Sequence, residues 1–215
     1  MNKIISFTLL FSGVVLLVYT WKPIFEWHFF IKPEITESSA IFLSPLAPSN
    51  QPVFDQRLSQ DASFASLPAI QSENTQTFYL TIGKFGIVRA KVVTGNDFIT
   101  TLAHLPNSSL PGEPGNIVIS GHSILPQFFS SRNYISIFSK LYLLESGDKI
   151  ILEDNNQTYT YTVTEMLVVG PKDTWILRSP NPYNSYLTLL TCGVGGFSAE
   201  RIIVRGTLSN SQNLI

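Results

Sequence analysis

The stretch Tyr186-Leu-Thr-Leu-Leu-Thr-Cys192 runs into Gly193-Val-Gly-Gly196, and Arg201-Ile-Ile-Val-Arg-Gly-Thr-Leu208 follows shortly after. Alternation along the first run sends Leu187, Leu189 and Thr191 to one face and Thr188, Leu190 and Cys192 to the other. Cys192 therefore stands at a strand end. The glycines after it do not readily extend a strand, and they leave the backbone open to a close-approaching ligand. Two strands joined by such a tip predict an antiparallel hairpin. In symmetric register Cys192 faces Arg201 with Cβ atoms about 5 Å apart. Arg205 shares that face but lies about 13 Å further along, at 3.3 Å per residue.

Outward from the hairpin the pattern repeats. The runs FYLTI, GIVRAKVV, FITTLA, NIVIS, KIILED and TYTYTVTEMLVV are short, rich in β-branched and aromatic residues, and bounded by turn residues. With the hairpin strands they predict a mainly all-β domain, a closed barrel or a sandwich, with only short helices. The segment Tyr134 to Leu144 is the best helical candidate. The abundance of turns agrees with 13 Pro, 13 Gly and only 13% charged residues.

The other end of the chain differs. Ile4 to Tyr19 carries no charge and continues into Thr20-Trp21, roughly the length a helix needs to cross a bilayer. Trp21, Trp27, Phe29 and Phe30 then resemble an interfacial aromatic belt, and no small-x-small cleavage site follows, which favours a retained anchor over a signal peptide. From Pro33 to about Thr77 the sequence is Ser-, Pro- and Asn-rich and reads as a tether, with weak amphipathic spacing from Asp55 to Leu67. The expected organisation is an anchor over 1–21, a belt and tether over 22–77, a β-rich domain over 78–209 and a tail over 210–215.

A net charge of −1 and the lack of a Lys/Arg cluster argue against nucleic acid as a partner. One cysteine cannot form an internal disulfide, and no Cys/His spacing fits zinc, so no metal is expected. Cys192 is either buried filler or a reactive thiol. Acyl transfer through a thiolate needs an oxyanion donor, which an arginine supplies, and a general acid/base. Among the histidines, His28 lies in the membrane-proximal belt. His122 follows the strand-like Asn116-Ile-Val-Ile-Ser120 and Gly121, and His104 ends the run TLAHLP as the weaker candidate.

Here the sequence resembles the sortase family. Thr188-Leu189-Leu190-Thr191-Cys192 matches its Thr-Leu-x-Thr-Cys signature, Gly121-His122 its Gly-His element, and Arg201 in ERIIVRGTL its arginine at the opening of the following strand. YLTIGKFGI, LPGEPGNIVISGHS and LESGDKIIL are similar to further stretches, so the likeness runs from about Phe78 to Leu208.

The resemblance implies an eight-stranded closed barrel behind one N-terminal transmembrane helix, single-pass, with the catalytic domain on the extracytoplasmic side of the cell membrane. It implies a cysteine transpeptidase acting without cofactor. Surface proteins bearing a C-terminal Leu-Pro-x-Thr-Gly-like sorting signal would be cut through a thioacyl intermediate and passed to an amine, from a cell-wall precursor or a pilin lysine. Carried over, Cys192 is the nucleophile, His122 the acid/base and Arg201 the oxyanion and substrate holder. Distance along the strand separately puts Arg205 out of reach of the oxyanion, so its replacement by Lys should alter turnover little. Substrate contacts are expected at Thr191, through its hydroxyl, at Leu189 and at Ser120. Pro171, Trp175 and Leu177 fall where such enzymes carry a specificity loop. The alternatives are an inert extracytoplasmic barrel that binds a partner around a structural cysteine, and an L,D-transpeptidase, whose Ser-His-Gly-like stretch Cys192 lacks.

Overall fold

The computed structural model describes residues 2–26, 75–95, 97–155, 157–193 and 200–213. The expected tether as far as residue 74, the aromatics at 27, 29 and 30, the weakly amphipathic stretch at 55–67 and the glycines after Val194 lie outside them. Helix α1 (Asn2–Glu26) includes an apolar stretch, Ile5–Lys22, long enough and apolar enough to cross a membrane and not buried among the described residues. It extends past the expected anchor boundary at 21.

The described strands are β1 (Thr77–Ile82), β2 (Ile87–Thr94), β3 (Leu102–His104), β4 (Gly115–Ser120), β5 (Lys149–Asp154), β6 (Gln157–Val169), β7 (Ser185–Cys192) and β8 (Arg201–Asn213). They close into a barrel in the order β1-β2-β3-β4-β7-β8-β6-β5. Most neighbours are antiparallel, but β2–β3 and β4–β7 pair in parallel. Eight strands enclose a space that side chains can fill. Phe78, Leu80, Ile117, Ile119, Leu187, Leu189 and Val204 fill it, all almost fully buried. Alternation sends the intervening residues outward, where Leu167, Val169, Leu190 and Ile203 form a second apolar layer beneath Ile176.

Two expectations change. The run FITTLA contributes a strand only from Leu102, because Asp97 folds the preceding residues into a turn by accepting the N–H groups of Ile99 and Thr100 and the Thr100 hydroxyl. At the other end β8 continues to Asn213, which pairs with Gln157, so strand replaces the start of the expected tail.

The segment Tyr134 to Leu144 is not an α-helix. It is a chain of tight turns ending in a short 3-10 element, Leu141–Leu143. Its amides bond three residues back, Ser139 to Ser136, Leu141 to Phe138 and Leu144 to Leu141, while the Phe138 N–H leaves the segment for the His122 carbonyl. Serine hydroxyls compete as well: Ser136 Oγ accepts from the Ser130 N–H and Ser139 Oγ from the Ile124 N–H. The apolar spacing that suggested a helix is real, since Ile137, Phe138, Leu141 and Leu144 all enter the core.

Phe138, 1% exposed, is the side chain that ties this segment to the barrel. Truncation to Ala should cost about 3–5 kcal/mol, read as a lower urea midpoint at unchanged denaturant dependence.

Candidate active site

Three chain pieces meet at one end of the barrel. β7 and β8 pair so that Cys192 faces Arg201, Leu190 faces Ile203 and Thr188 faces Arg205. This is the symmetric hairpin register, and the Gly193 N–H extends it by donating to the Glu200 carbonyl at 2.9 Å. Cys192 and Arg201 are both half-buried. They project on the outer face of the sheet, opposite the core side chains Leu187 and Leu189.

The third piece is the exit of β4. Parallel pairing aligns Ser120 with Leu190. Continued past the end of β4, that register runs the chain at His122 alongside the end of β7 at Cys192. Hydrogen bonds hold the alignment beyond the strand. The Gly121 N–H donates to the Leu190 carbonyl at 3.1 Å, the Thr191 hydroxyl to the Gly121 carbonyl at 2.8 Å, and the Ser123 hydroxyl to the Cys192 carbonyl at 3.0 Å. The His122 carbonyl accepts the Phe138 N–H at 3.1 Å. The backbone of His122 is thus tied on both sides while the residue stays exposed, its ring meeting that of Phe98 edge-on with centroids 5.7 Å apart.

Glycine before the histidine has a steric reason. A Cβ at Gly121 would stand 2.6 Å from Leu102 Cδ2 and 2.7 Å from Phe138 Cδ2, so any larger residue would push the histidine backbone off the core.

His104 is a different kind of histidine. It is 2% exposed and engaged at both nitrogens, Nδ1 with Thr94 Oγ1 at 2.9 Å and Nε2 with Ser108 Oγ at 2.8 Å and the Ser109 carbonyl at 3.1 Å. A carbonyl can only accept, which assigns the ring proton to Nε2 and leaves Nδ1 to accept from Thr94. Burial pushes its pKa down, against smaller upward pulls from the Ser109 carbonyl and Glu113. It braces β2, β3 and the loop after them.

Two residues expected to contact substrate are buried. Leu189 is 0% exposed and lies in the barrel core, since alternation turns it away from the face of Cys192. Thr191 is buried too, and its hydroxyl donates to the Gly121 carbonyl, which ties the two strands together. Ser120, Pro171 and Leu177 are half-buried and Trp175 is exposed. Arg205 lies at the level of Thr188, away from the thiol as its spacing indicated, but it is 5% exposed and bonded to Glu165 and to the Ile176 carbonyl. Replacement there cannot be neutral for structure. Nothing in the local sequence marks it, because its partners come from β6 and from the segment before β7.

A family model described as Sortase domain matches residues 80–209. Sortase A of Streptococcus agalactiae is 31% identical over 107 residues, 50% of this chain and 41% of that protein. Sortase A of Bacillus anthracis is 30% identical over 122 residues, 57% of this chain and 53% of its own length. The matched stretch thus spans about half of these relatives or less. Among solved structures, sortase A from Corynebacterium diphtheriae is similar with a TM-score of 0.54 and 28% identity, over 65% of this chain and 63% of that one. The Clostridium perfringens sortase D5 transpeptidase is similar with a TM-score of 0.52 and 26% identity, over 62% and 79%.

The buried histidine gives a pH test. Its folded pKa lies below the unfolded value of 6.5, so on acidification the unfolded chain takes up a proton before the folded one does. Stability should be full above about pH 6.5 and decline as pH falls through the window between the two values. Urea midpoints measured across this range should show that decline, and His104→Gln should flatten it.

Proposed function

The chain belongs to the sortase family, and from that premise we propose that it is a membrane-anchored cysteine transpeptidase acting on sorting signals of the Leu-Pro-x-Thr-Gly kind. The observation that carries the reading is the direct pairing of Cys192 with Arg201 at a strand end level with the exposed His122. A nucleophile, a fixed cation and a titratable group then share one face of one sheet edge.

In this reading the Cys192 thiolate attacks the threonine carbonyl of the signal, forming a C–S bond and placing negative charge on the carbonyl oxygen. Arg201 stabilises that oxyanion. Collapse breaks the Thr–Gly bond as His122 gives its proton to the departing glycine amine, leaving a thioacyl enzyme. The acceptor amine then loses a proton to His122, attacks the thioester, and releases the thiolate as a new amide forms. Trp175, Leu177, Pro171 and Ser120 offer contacts for the peptide in this reading. Helix α1 spans the membrane, with the domain on the extracytoplasmic side and the segment to 77 as tether. Attachment of surface proteins to the cell wall or a pilus follows.

Incubation of the chain with a panel of sorting-signal peptides and amines, with products read by mass spectrometry, tests the reading. Cys192→Ala should abolish cleavage and transfer with the unfolding curve nearly unchanged, since the half-buried strand end loses little packing. A folded variant that still cuts the peptide would overturn the assignment.

Lysine at 201 keeps the charge but loses the planar fork that can hold a carbonyl and an oxyanion together. Arg201→Lys should therefore lower kcat by roughly two orders of magnitude, the scale for losing one oxyanion donor. Steady-state kinetics on the best peptide measures it.

A further inference from the structure

On the outer face of the sheet, beneath the segment between β6 and β7, buried polar side chains meet that the chemistry above does not use. Arg205 donates Nη1 to Glu165 Oε1 at 2.7 Å and Nη2 to the Ile176 carbonyl at 2.9 Å, with Nε 3.5 Å from the Thr188 hydroxyl. The Thr188 hydroxyl donates to Asn116 Oδ1 at 2.8 Å. That orients the Asn116 amide, whose Nδ2 donates to the Leu177 carbonyl at 3.0 Å and to that of Ile176 at 3.3 Å. Arg205, Thr188 and Asn116 are each at most 5% exposed.

Two successive carbonyls of the turn Thr174–Leu177 are therefore held by donors from two different strands. The middle side chain, Ile176, is 0% exposed and plugs into Leu190, Ile203, Leu167 and Val169. Of its neighbours, Trp175 stays on the surface side at 49% exposure, while Leu177 is half-buried and packs against the rim of the same apolar cluster. The turn also sits beside the thiol: Leu190 and Ile203, which Ile176 covers, are the next residues on this face from Cys192 and Arg201.

An apolar plug alone would hold such a turn without desolvating a charge. What the guanidinium and the amide add is direction, because each fixes a carbonyl and together they fix the rotation of the turn about Ile176. Glu165 satisfies one arm of the fork and leaves the other aimed at the backbone.

We propose that Arg205, with Asn116 and Thr188, is a positioning residue for substrate recognition. It locks the Thr174–Leu177 turn so that Trp175 and Leu177 form a preformed apolar wall for the leucine of the sorting peptide. The proposal rests on the transpeptidase reading of the neighbouring site, and it separates binding from chemistry: the clamp acts on peptide affinity and leaves the thiol as it is.

The test compares wild type, Arg205→Lys and Asn116→Ala as full chains in detergent micelles. Three readouts are taken: steady-state cleavage of the best sorting peptide, hydrogen exchange over residues 170–184, and the alkylation rate of Cys192 by iodoacetamide. Arg205→Lys should raise KM about tenfold, the equivalent of one lost hydrogen bond to a charged group, with kcat changed less than about threefold. Exchange at Ile176 to Arg178 should speed up by about the same factor, and alkylation should not change. Asn116→Ala should move KM and exchange in the same direction by less. A fall in kcat at constant KM, faster exchange without a change in KM, or a changed KM with unchanged exchange would each overturn the proposal. If Arg205→Lys does not fold, the same outcomes in Asn116→Ala decide it. A wild type that cleaves no peptide, yet folds, refutes the transpeptidase reading, and the exchange comparison still decides whether the clamp exists.

Discussion

The parallel pairing of β4 with β7 is the constraint on which the site depends. The strands are far apart in sequence, and the hydrogen bond from Ser123 to the Cys192 carbonyl joins residues 69 positions apart. Parallel strands need a long crossover, and here the crossover is the whole of β5, β6 and the segment after it. In return their register slides nowhere: Ile117, Ile119, Leu187 and Leu189 are all fully inside, and a one-residue slip would turn one set outward. The alignment of Gly121 and His122 with Thr191 and Cys192 is inherited from that core.

The local part of this arrangement was legible in the sequence, whereas the non-local part was not. The β7–β8 register could be worked out because a short glycine-rich tip leaves few ways to pair two alternating strands, so the facing of Cys192 and Arg201 follows from spacing. That His122 outranks His104 could be suspected from strand-end position, but the physical difference lies in burial. His104 is walled in by Thr94, Ser108, Ser109 and Phe78, and those neighbours come from three separate stretches. The burial of Leu189 and Thr191 was not legible in the signature, because a motif read as a string does not say which of its residues face the core. Alternation counted from Cys192 separates them. Tyr134 to Leu144 misled in the opposite way: its apolar period was correct, and its serines and the pull of the His122 carbonyl on the Phe138 amide chose tighter turns.

The two faces of β7 and β8 are stabilised by different physics. Inside, Leu187, Leu189 and Val204 gain from being removed from water. Outside, apolar contact through Leu190 and Ile203 alternates with polar pairs at Thr188 and Arg205. Such a layer holds a covering segment in one orientation, since hydrogen bonds to buried groups are costly to leave unmade. The site at the strand ends is thereby framed by a dry core on one side and an oriented turn on the other.

The order of the strands has a consequence in time. Closing the barrel requires β1 to find β5, β4 to find β7 and β6 to find β8, so the contacts that close it are non-local, and β folds that depend on such pairings form on roughly the millisecond-to-second scale. Throughout that interval the thiol at the end of β7 has no partner strands around it and is open to whatever oxidants its surroundings hold. A second cysteine anywhere in the chain would turn each slow folding attempt into a competition with internal disulfide formation. With a single cysteine, that internal trap is closed, and only oxidants or thiols from outside the chain can modify the sulfur.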